Sequence, residues 1–267
     1  MFWRYVFAFA LLISGGFSYG SVNSTEINGA IQRGRSFLTN LVEAELNLLP
    51  EFPGSKVYWL FHDNYLAAKV LSSSHPEIAE KISAAIHREG VTNSGKIELL
   101  FGEAESPLPF RHYQLKEVRR IGDKIIRTEV VTDRKMIGWE AYADLLLLAS
   151  ISEKNPVAAH GHWKAALQLW DGNGFLDPAT RQHQIYSTYK LALAVLAARH
   201  LSPPESVPEN LLERLLTMQA NSGGWITDYA LSGKKVGQAN VETTSLAILA
   251  LEASLVSKSA KAKPGKK

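Results

Sequence analysis

Apolar residues recur at helical spacing along most of the chain. Several of these apolar segments begin at an Asp or a Pro, which favour the first turn of a helix, and end near a Gly or a Pro. The pattern predicts eight helices joined by short loops. They cover approximately residues 26–49, 63–71, 76–89, 138–152, 156–170, 181–200, 208–220 and 240–256.

One segment departs from the helical spacing. Between residues 97 and 132 apolar and polar residues alternate, which is the pattern of half-buried β-strands, and Gly122-Asp123 forms a turn in the middle. We predict a β-hairpin here, with a third short strand at Glu98–Phe101. Because an isolated hairpin is only marginally stable in water, we expect it to pack against the helices.

Four of the predicted helices open in the same way, with polar or aromatic residues on the first turn and apolar residues on nearly all faces afterwards. A helix that is apolar all round must be buried on all sides. An inner ring of such helices inside an outer ring of amphipathic helices meets this requirement. The aligned positions 65, 142, 189 and 245 recur at intervals near 50 residues, apart from one that contains the hairpin, which suits a two-helix repeat.

The predicted fold class is therefore all-α, as an incomplete α/α toroid of about four helical hairpins with a small β-hairpin insertion around residues 97–132. Two motifs resemble the QW repeat of triterpene cyclases. Gln219-x3-Gly223-x-Trp225 is similar to its end, and Arg33-Gly34-x-x-Phe37-Leu38 is similar to its start. The chain thus resembles the α/α-toroid superfamily of terpenoid cyclases, protein prenyltransferases and carbohydrate-active toroids. The resemblance implies a scaffold, but the acidic motifs of the terpenoid reaction are absent from the sequence.

The two ends of the chain differ in composition from the body. Residues 1–20 have the pattern of a cleaved secretory signal, with Arg4 before an apolar run that is too short to span a bilayer; an uncleaved N-terminal anchor is the alternative. We therefore expect a secreted protein without a stable membrane span in the mature chain. Asn23 begins an N-glycosylation acceptor triplet. Residues 257–267 are rich in Lys and are predicted to be a disordered basic tail, which leaves residues 21–256 as the folded domain.

Charge and cysteine content exclude several classes of function. The formal net charge is +3, but the tail holds five lysines and the signal holds Arg4, so the remaining body is net negative. A nucleic-acid interface is therefore not expected. The chain has no Cys, which excludes disulfides and Cys-ligated metals. No metal or cofactor is predicted, and no particular oligomeric state is indicated.

In a toroid the inner helices run roughly parallel, so their N-termini meet around one mouth, and the polar openings would converge there. The candidate catalytic residues are His62, Asp63, Tyr65, Glu140 and Glu242. The candidate substrate-binding residues are Asn64, Arg111, Trp139, Asp144, Tyr186, Tyr189, Asn240 and Thr243. Each has a structural alternative, because Asp63 can cap its helix, the two glutamates can offset helix dipoles, and His62 can be a buried core residue.

Aromatic rings beside carboxylates and amides favour a carbohydrate ligand. A hydrolase would use two of the carboxylates across a glycosidic bond. A lyase or epimerase would use Tyr65 or His62 as a base next to a uronate, with Asn64 or Arg111 stabilising the enolate. The basic residues of the hairpin could attract such an acidic sugar, or could simply protect an exposed edge. A non-catalytic cell-surface binding module, or a toroid for an isoprenoid ligand, are the other hypotheses.

Overall fold

The computed structural model describes residues 22–91, 96–103, 108–208 and 210–261, with side chains as far as residue 255. The predicted signal sequence and the last six residues of the basic tail lie outside the described residues. No described helix is both long enough and apolar enough to cross a membrane.

Helices contain 51% of the described residues and strands contain 20%. The helices are α1 (Ser24–Leu41), α2 (Leu66–Leu71), α3 (Pro76–Arg88), α4 (Ala143–Ser152), α5 (Pro156–Leu167), α6 (Pro178–His183), α7 (Thr188–His200), α8 (Leu211–Thr217) and α9 (Val241–Lys261). The strands are β1 (Val57–Trp59), β2 (Arg111–Ile121), β3 (Lys124–Lys135), β4 (Ile185–Ser187), β5 (Trp225–Ala230) and β6 (Lys235–Asn240). A π-helical turn covers Leu60–Tyr65, and 3₁₀ turns cover Ile97–Phe101 and Trp139–Ala141.

The prediction of an all-α fold is wrong, because the strands form two three-stranded sheets. One sheet has the order β1-β3-β2, with β1 parallel and β2 antiparallel to β3. The other is antiparallel with the order β4-β5-β6. The second sheet has almost no alternating signal, since β4 has three residues and a register shift at Ile226/Asp228 interrupts the pairing of β5 with β6.

The predicted hairpin is present as β2 and β3, with Gly122 at a positive φ of 59° in the two-residue turn. The expected third strand at residues 98–101 is instead part of a 3₁₀ turn, and β1 provides the third strand of that sheet. The turn buries four consecutive residues, Ile97 to Leu100. Consecutive burial does not fit a strand on the surface of a helical core, where alternate side chains face solvent.

Four helices form the centre of the molecule and lie side by side in the order α2, α9, α7, α4. Each is covered by one peripheral helix, with α3 on α2, α1 on α9, α8 on α7 and α5 on α4. The central helices are apolar on nearly all faces because they are enclosed, and ten of the 13 residues of α7 are buried. The π-helical turn, β3 and the 3₁₀ turn at residues 97–101 pack around the leading ends of this row.

Several helix bounds differ from the predicted ones, and strand β4 divides the predicted helix at residues 181–200 into α6 and α7. Helix α1 ends at Leu41 instead of residue 49, because Glu43 and Leu48 pair across a turn with Asn47 at a positive φ of 56°. Helix α9 continues to Lys261, so the first part of the predicted disordered tail is helical.

The Gln219–Trp225 turn joins α1 to the second sheet. The Gln219 amide accepts hydrogen bonds from the Arg33 guanidinium, the shorter of 2.6 Å, and donates to the backbone oxygens of Ala30 and Gly223 at 2.8 Å. The Trp225 ring is fully buried, and its indole N–H donates to the Leu215 carbonyl at 2.8 Å. The two motifs that carry the family resemblance are therefore in direct contact.

This contact leaves no room for a side chain at Gly34. A Cβ there would lie 2.7 Å from Trp225 Cζ3 and 2.9 Å from Ile248 Cδ1. We expect Gly34→Ala to lower the free energy of unfolding by about 1–3 kcal/mol, since both neighbours are packed in the core. Gly29→Ala on the same helix is the matched control. Its Cβ meets only the flexible end of Arg33 at 3.4 Å, so it should be neutral or stabilising by up to about 1 kcal/mol. Urea unfolding followed by circular dichroism measures both, and equal stability of the two variants would contradict the prediction.

Candidate functional site

A polar cleft lies at the leading ends of the central helices and consists of two adjoining cavities that share His62, Glu129 and Glu242. The inner cavity has a volume of about 230 Å³ and the outer cavity about 160 Å³. The inner cavity is also lined by Lys96, Ile97, Leu100, Asp144, Leu148, Tyr189, Leu193 and Leu246. The outer cavity is also lined by Glu51, Trp59, Asp63 and Asn240.

Five of the polar side chains reach the cleft because each lies on the first turn of a central helix or just before it. Asp144, Tyr189 and Glu242 are each the second residue of their helix, in α4, α7 and α9 respectively. His62 and Asp63 lie on the π-helical turn that leads into α2. Such wide turns are rare in proteins and are often found at functional sites. The sequence pattern of similar helix openings thus brings these five residues together.

Strand β3 supplies the other wall. Trp59, the last residue of β1, pairs with Arg127, and β3 continues beyond this point to Glu129. The Glu129 carboxyl therefore lies beside the π-helical turn that follows β1. Its Oε2 is 3.4 Å from His62 Nε2.

Two buried carboxyl groups hold the helix openings in place. The Asp63 carboxyl accepts a hydrogen bond from the backbone N–H of Glu242, which joins the π-helical turn to α9. The Asp177 carboxyl accepts from the Ala143 N–H at 3.2 Å and from Lys190 Nζ at 2.5 Å, which joins α4 to α7. Asp177 is fully buried and Lys190 almost so, so this ion pair is screened very little by water.

Burial raises the pKa of Glu242 to about 7. The Lys96 ammonium opposes this shift, while the carboxyl groups of Glu129, Glu51 and Asp144 add to it. Burial also raises the pKa of Asp63 well above its usual range, with further contributions from Glu242 and Glu51. Both groups therefore hold their protons at a pH where exposed carboxyl groups have lost theirs.

Burial, and secondarily the charge of Lys96, lower the pKa of His62 to about 3. The imidazole is therefore neutral near pH 7, and its 3.4 Å contact with Glu129 is a polar contact of a neutral ring, not an ion pair. With its pKa lowered in this way the ring is a weak base, and its role is to orient a ligand through hydrogen bonds.

Tyr189 fixes the orientation of Asp144. Its hydroxyl donates a hydrogen bond of 2.9 Å to Asp144 Oδ2. Burial and the neighbouring carboxyl of Asp144 raise the pKa of Tyr189 well above its usual range. The hydroxyl consequently keeps its proton, and Asp144 is the acceptor in this pair.

Several predicted site residues lie outside the cleft because their polar atoms are used elsewhere. The Asn64 amide bonds the backbone of Leu49 and Trp59 and is completely buried. Tyr65 faces a different cavity and donates a hydrogen bond of 2.5 Å to Glu103.

The next corrections concern three residues that were expected at the mouth. Trp139 packs in the core against Phe110, Tyr186 is buried with its hydroxyl on Asp171, and neither lines the cleft. Glu140 lies exposed on a 3₁₀ turn that precedes α4, because the helix begins at Ala143 and not at residue 138.

Three further predicted residues have local structural roles. The Asn240 side chain lines the outer cavity and accepts a hydrogen bond of 2.9 Å from the N–H of Thr243, which is itself buried. Asn23, the predicted glycosylation acceptor, is exposed and caps α1 through the N–H of Glu26.

Three basic residues of the hairpin have acidic partners. Arg111, exposed on β2, pairs with Asp133, Arg119 pairs with Glu89, and Lys124 pairs with Glu43 and Glu45. These acids neutralise the charge that was expected to attract an acidic sugar. The hairpin thus carries partnered surface charges, in line with the structural alternative for this segment.

Sequence reasoning missed Glu51, Lys96 and Glu129 as cleft residues. Glu51 and Lys96 lie in irregular segments near Pro, Gly and Ser, where the sequence gives no periodicity. Glu129 belongs to the predicted hairpin, but its position depends on the parallel pairing of β1 with β3, which links residues far apart in the chain. No local signal specifies that pairing.

Among the residues that the structure describes, no group of three or more His, Asp or Glu side chains has a geometry that could hold a metal ion. Comparison with protein-family models, with curated proteins and with solved structures gives no match to this chain. The resemblance to the toroid superfamily therefore stays an interpretation of the sequence motifs.

The raised pKa of Glu242 predicts how stability depends on pH. The usual value is 4.5 and the folded value is about 7, so the contribution of this carboxyl is fully present below pH 4.5 and is lost as the pH rises through 7. Between pH 4.5 and 7, the free energy of unfolding of the wild type should fall by about 3 kcal/mol relative to that of Glu242→Gln. Urea unfolding at several pH values measures the difference. A difference that stays constant with pH would contradict the assignment.

Proposed function

We propose that this protein is a secreted enzyme that hydrolyses a glycan, with Glu242 as the general acid and Asp144 as its carboxylate partner. The single observation that supports this most directly is the unequal environment of two carboxyl groups that line one cavity. The pKa of Glu242 is raised to about 7, whereas Asp144 accepts a hydrogen bond from Tyr189. Pairs of carboxyl groups with unequal environments are how glycosidases separate the acid from the base or nucleophile.

In the proposed reaction Glu242 donates its proton to the glycosidic oxygen while the bond from that oxygen to the anomeric carbon breaks. A water oxygen adds to the anomeric carbon and loses a proton to Asp144. Tyr189 holds Asp144 in position by its hydrogen bond, and it stays protonated throughout. The positive charge that develops on the sugar is stabilised by the surrounding carboxyl groups.

The lining of the cleft favours a sugar over an isoprenoid. The inner cavity has both apolar and polar lining residues, the apolar ones being Ile97, Leu100, Leu148, Leu193 and Leu246. A sugar ring has an apolar face and polar edges, which match these two kinds of lining residue. Only Trp59 and Tyr189 contribute larger aromatic rings, so the cleft lacks the aromatic walls that an isoprenoid cation would need.

A uronate lyase fits less well than a hydrolase. Five carboxyl groups line the two cavities, against one ammonium, that of Lys96. An acidic sugar would be repelled, and Arg111, the residue expected to stabilise the enolate, pairs with Asp133 on the hairpin.

We expect Glu242→Gln to lower kcat on a susceptible glycan by 10²–10⁴-fold, the usual effect of removing a general acid. Substrate binding should be retained, because Gln keeps the size of the side chain. Screening of the wild type on a panel of neutral, amino and acidic oligosaccharides identifies the substrate, and chromatography of the products measures the rate.

Glu77→Gln is the matched control for this substitution. Glu77 is exposed on the first turn of α3, so its substitution makes the same chemical change away from the cleft. Its turnover should equal that of the wild type. If the wild type binds glycans but cleaves none of the panel, the protein is a binding module and the enzymatic proposal is wrong.

The pH profile gives a second test of the acid. Because Glu242 must hold its proton in the free enzyme and its pKa is about 7, kcat/KM should fall as the pH rises above 7. The fall should be tenfold per pH unit once the group has ionised. A profile that stays flat between pH 6 and about 9 would exclude Glu242 as the acid.

A further inference from the structure

We infer that the outer cavity of the cleft is a subsite for a protonated amine, and that the substrate is an amino-sugar polymer. This inference rests on the proposed function only in taking the ligand to be a glycan. The outer cavity is lined by Glu51, Asp63, Glu129 and Glu242, together with Trp59, His62 and Asn240. No Lys or Arg among the described residues lines it, since Lys96 borders the inner cavity.

An acidic cluster alone does not define a ligand. In the outer cavity, however, two carboxyl oxygen atoms have no hydrogen-bond partner. Asp63 is 1% exposed and its Oδ2 has no hydrogen-bond partner within the described part of the chain. Glu129 Oε2, on the opposite wall, also makes no hydrogen bond; His62 Nε2 lies 3.4 Å from it, and the Glu129 side chain is 23% exposed. A buried polar atom without a partner costs about 1–3 kcal/mol, so such atoms are usually satisfied by a ligand or by water.

The chemistry of the unpartnered atoms selects the ligand. Both belong to carboxyl groups, which accept hydrogen bonds when ionised and bind an ammonium more strongly than a hydroxyl. An ammonium has three N–H donors, enough to reach Asp63, Glu129 and one further oxygen. The Trp59 ring in the same cavity adds a surface that attracts cations.

The neutral His62 and the protonated state of Asp63 agree with this assignment. Asp63 holds a proton because burial and the carboxyl groups of Glu242 and Glu51 raise its pKa. A bound ammonium would favour the ionised carboxylate. Binding is then accompanied by release of a proton from Asp63 to solvent, which a neutral sugar would not cause.

The test compares three tetrasaccharides, which are the tetramers of glucosamine, of N-acetylglucosamine and of galacturonate. Titration calorimetry is carried out with the full chain carrying Glu242→Gln, so that no ligand is cleaved. Glucosamine tetramer should bind at least tenfold more tightly than the acetylated tetramer, and the galacturonate tetramer most weakly. The binding enthalpy of the glucosamine tetramer should also vary with the ionisation enthalpy of the buffer, because the buffer takes up the released proton.

Substitutions then locate the subsite. Adding Glu129→Gln should reduce the preference for glucosamine to less than about threefold, while adding Glu77→Gln should leave it unchanged. Asp63→Asn should abolish the proton release as well. If Asp63→Asn does not fold, Glu129→Gln decides alone, since the Glu129 side chain is 23% exposed and tolerates a polar replacement.

Failure of this inference differs from failure of the proposed function. Equal affinities for the glucosamine and acetylated tetramers, or a preference for the acetylated or acidic one, overturn the amine subsite. A preference for glucosamine that Glu129→Gln removes supports the subsite even if the wild type cleaves nothing. Turnover of a neutral glycan without any preference supports the hydrolase and overturns the amine subsite.

Discussion

The cleft exists because buried carboxyl groups join the leading ends of helices that are apolar on nearly all other faces. Asp177 joins α4 to α7 through the Ala143 N–H and Lys190, and Asp63 joins the π-helical turn to α9 through the Glu242 N–H. The first N–H groups of a helix have no partner within the helix, so a carboxyl from a neighbour satisfies them while fixing the distance between the two helices. The apolar bodies of the helices could slide past each other, but these directional bonds specify one register.

The same arrangement explains why the cleft is acidic. Asp177 is compensated by Lys190, which makes it a structural ion pair, and removing either partner would leave a buried charge that costs about 3–5 kcal/mol. Asp63 has no such partner and instead keeps a proton. The two carboxyl groups therefore join helices in similar ways but differ in charge, and Asp63, the one without a cationic partner, borders the outer cavity. That difference separates a group that only supports the fold from one that can also respond to a ligand.

The sequence specified the parts of the fold that depend on local periodicity. The similar openings at Asp63, Asp144, Tyr189 and Glu242 correctly indicated side chains that share one cleft, because each position on a buried helix follows from the 3.6-residue repeat. The second sheet and the residue Glu129 could not be found in this way. Their positions depend on strand pairing between distant segments, and a shift of one residue would turn Glu129 to the other face. Glu140 was misplaced for a related reason, since the helix begins at Ala143, five residues later than the predicted start at residue 138.

The protonation of Glu242 depends on which of two opposing effects on its pKa is larger, the helix dipole or burial. A carboxyl on the first turn of a helix is stabilised in its ionised form by the helix dipole, typically by about 0.3–1 kcal/mol, which corresponds to less than one pKa unit. The pKa is nevertheless raised from 4.5 to about 7, because loss of water and the nearby Glu129, Glu51 and Asp144 outweigh both the dipole and Lys96. A residue present only to offset the dipole would be exposed and ionised. The chain instead places this carboxyl where ionisation is unfavourable, and a group held in that way can deliver its proton to a bound ligand.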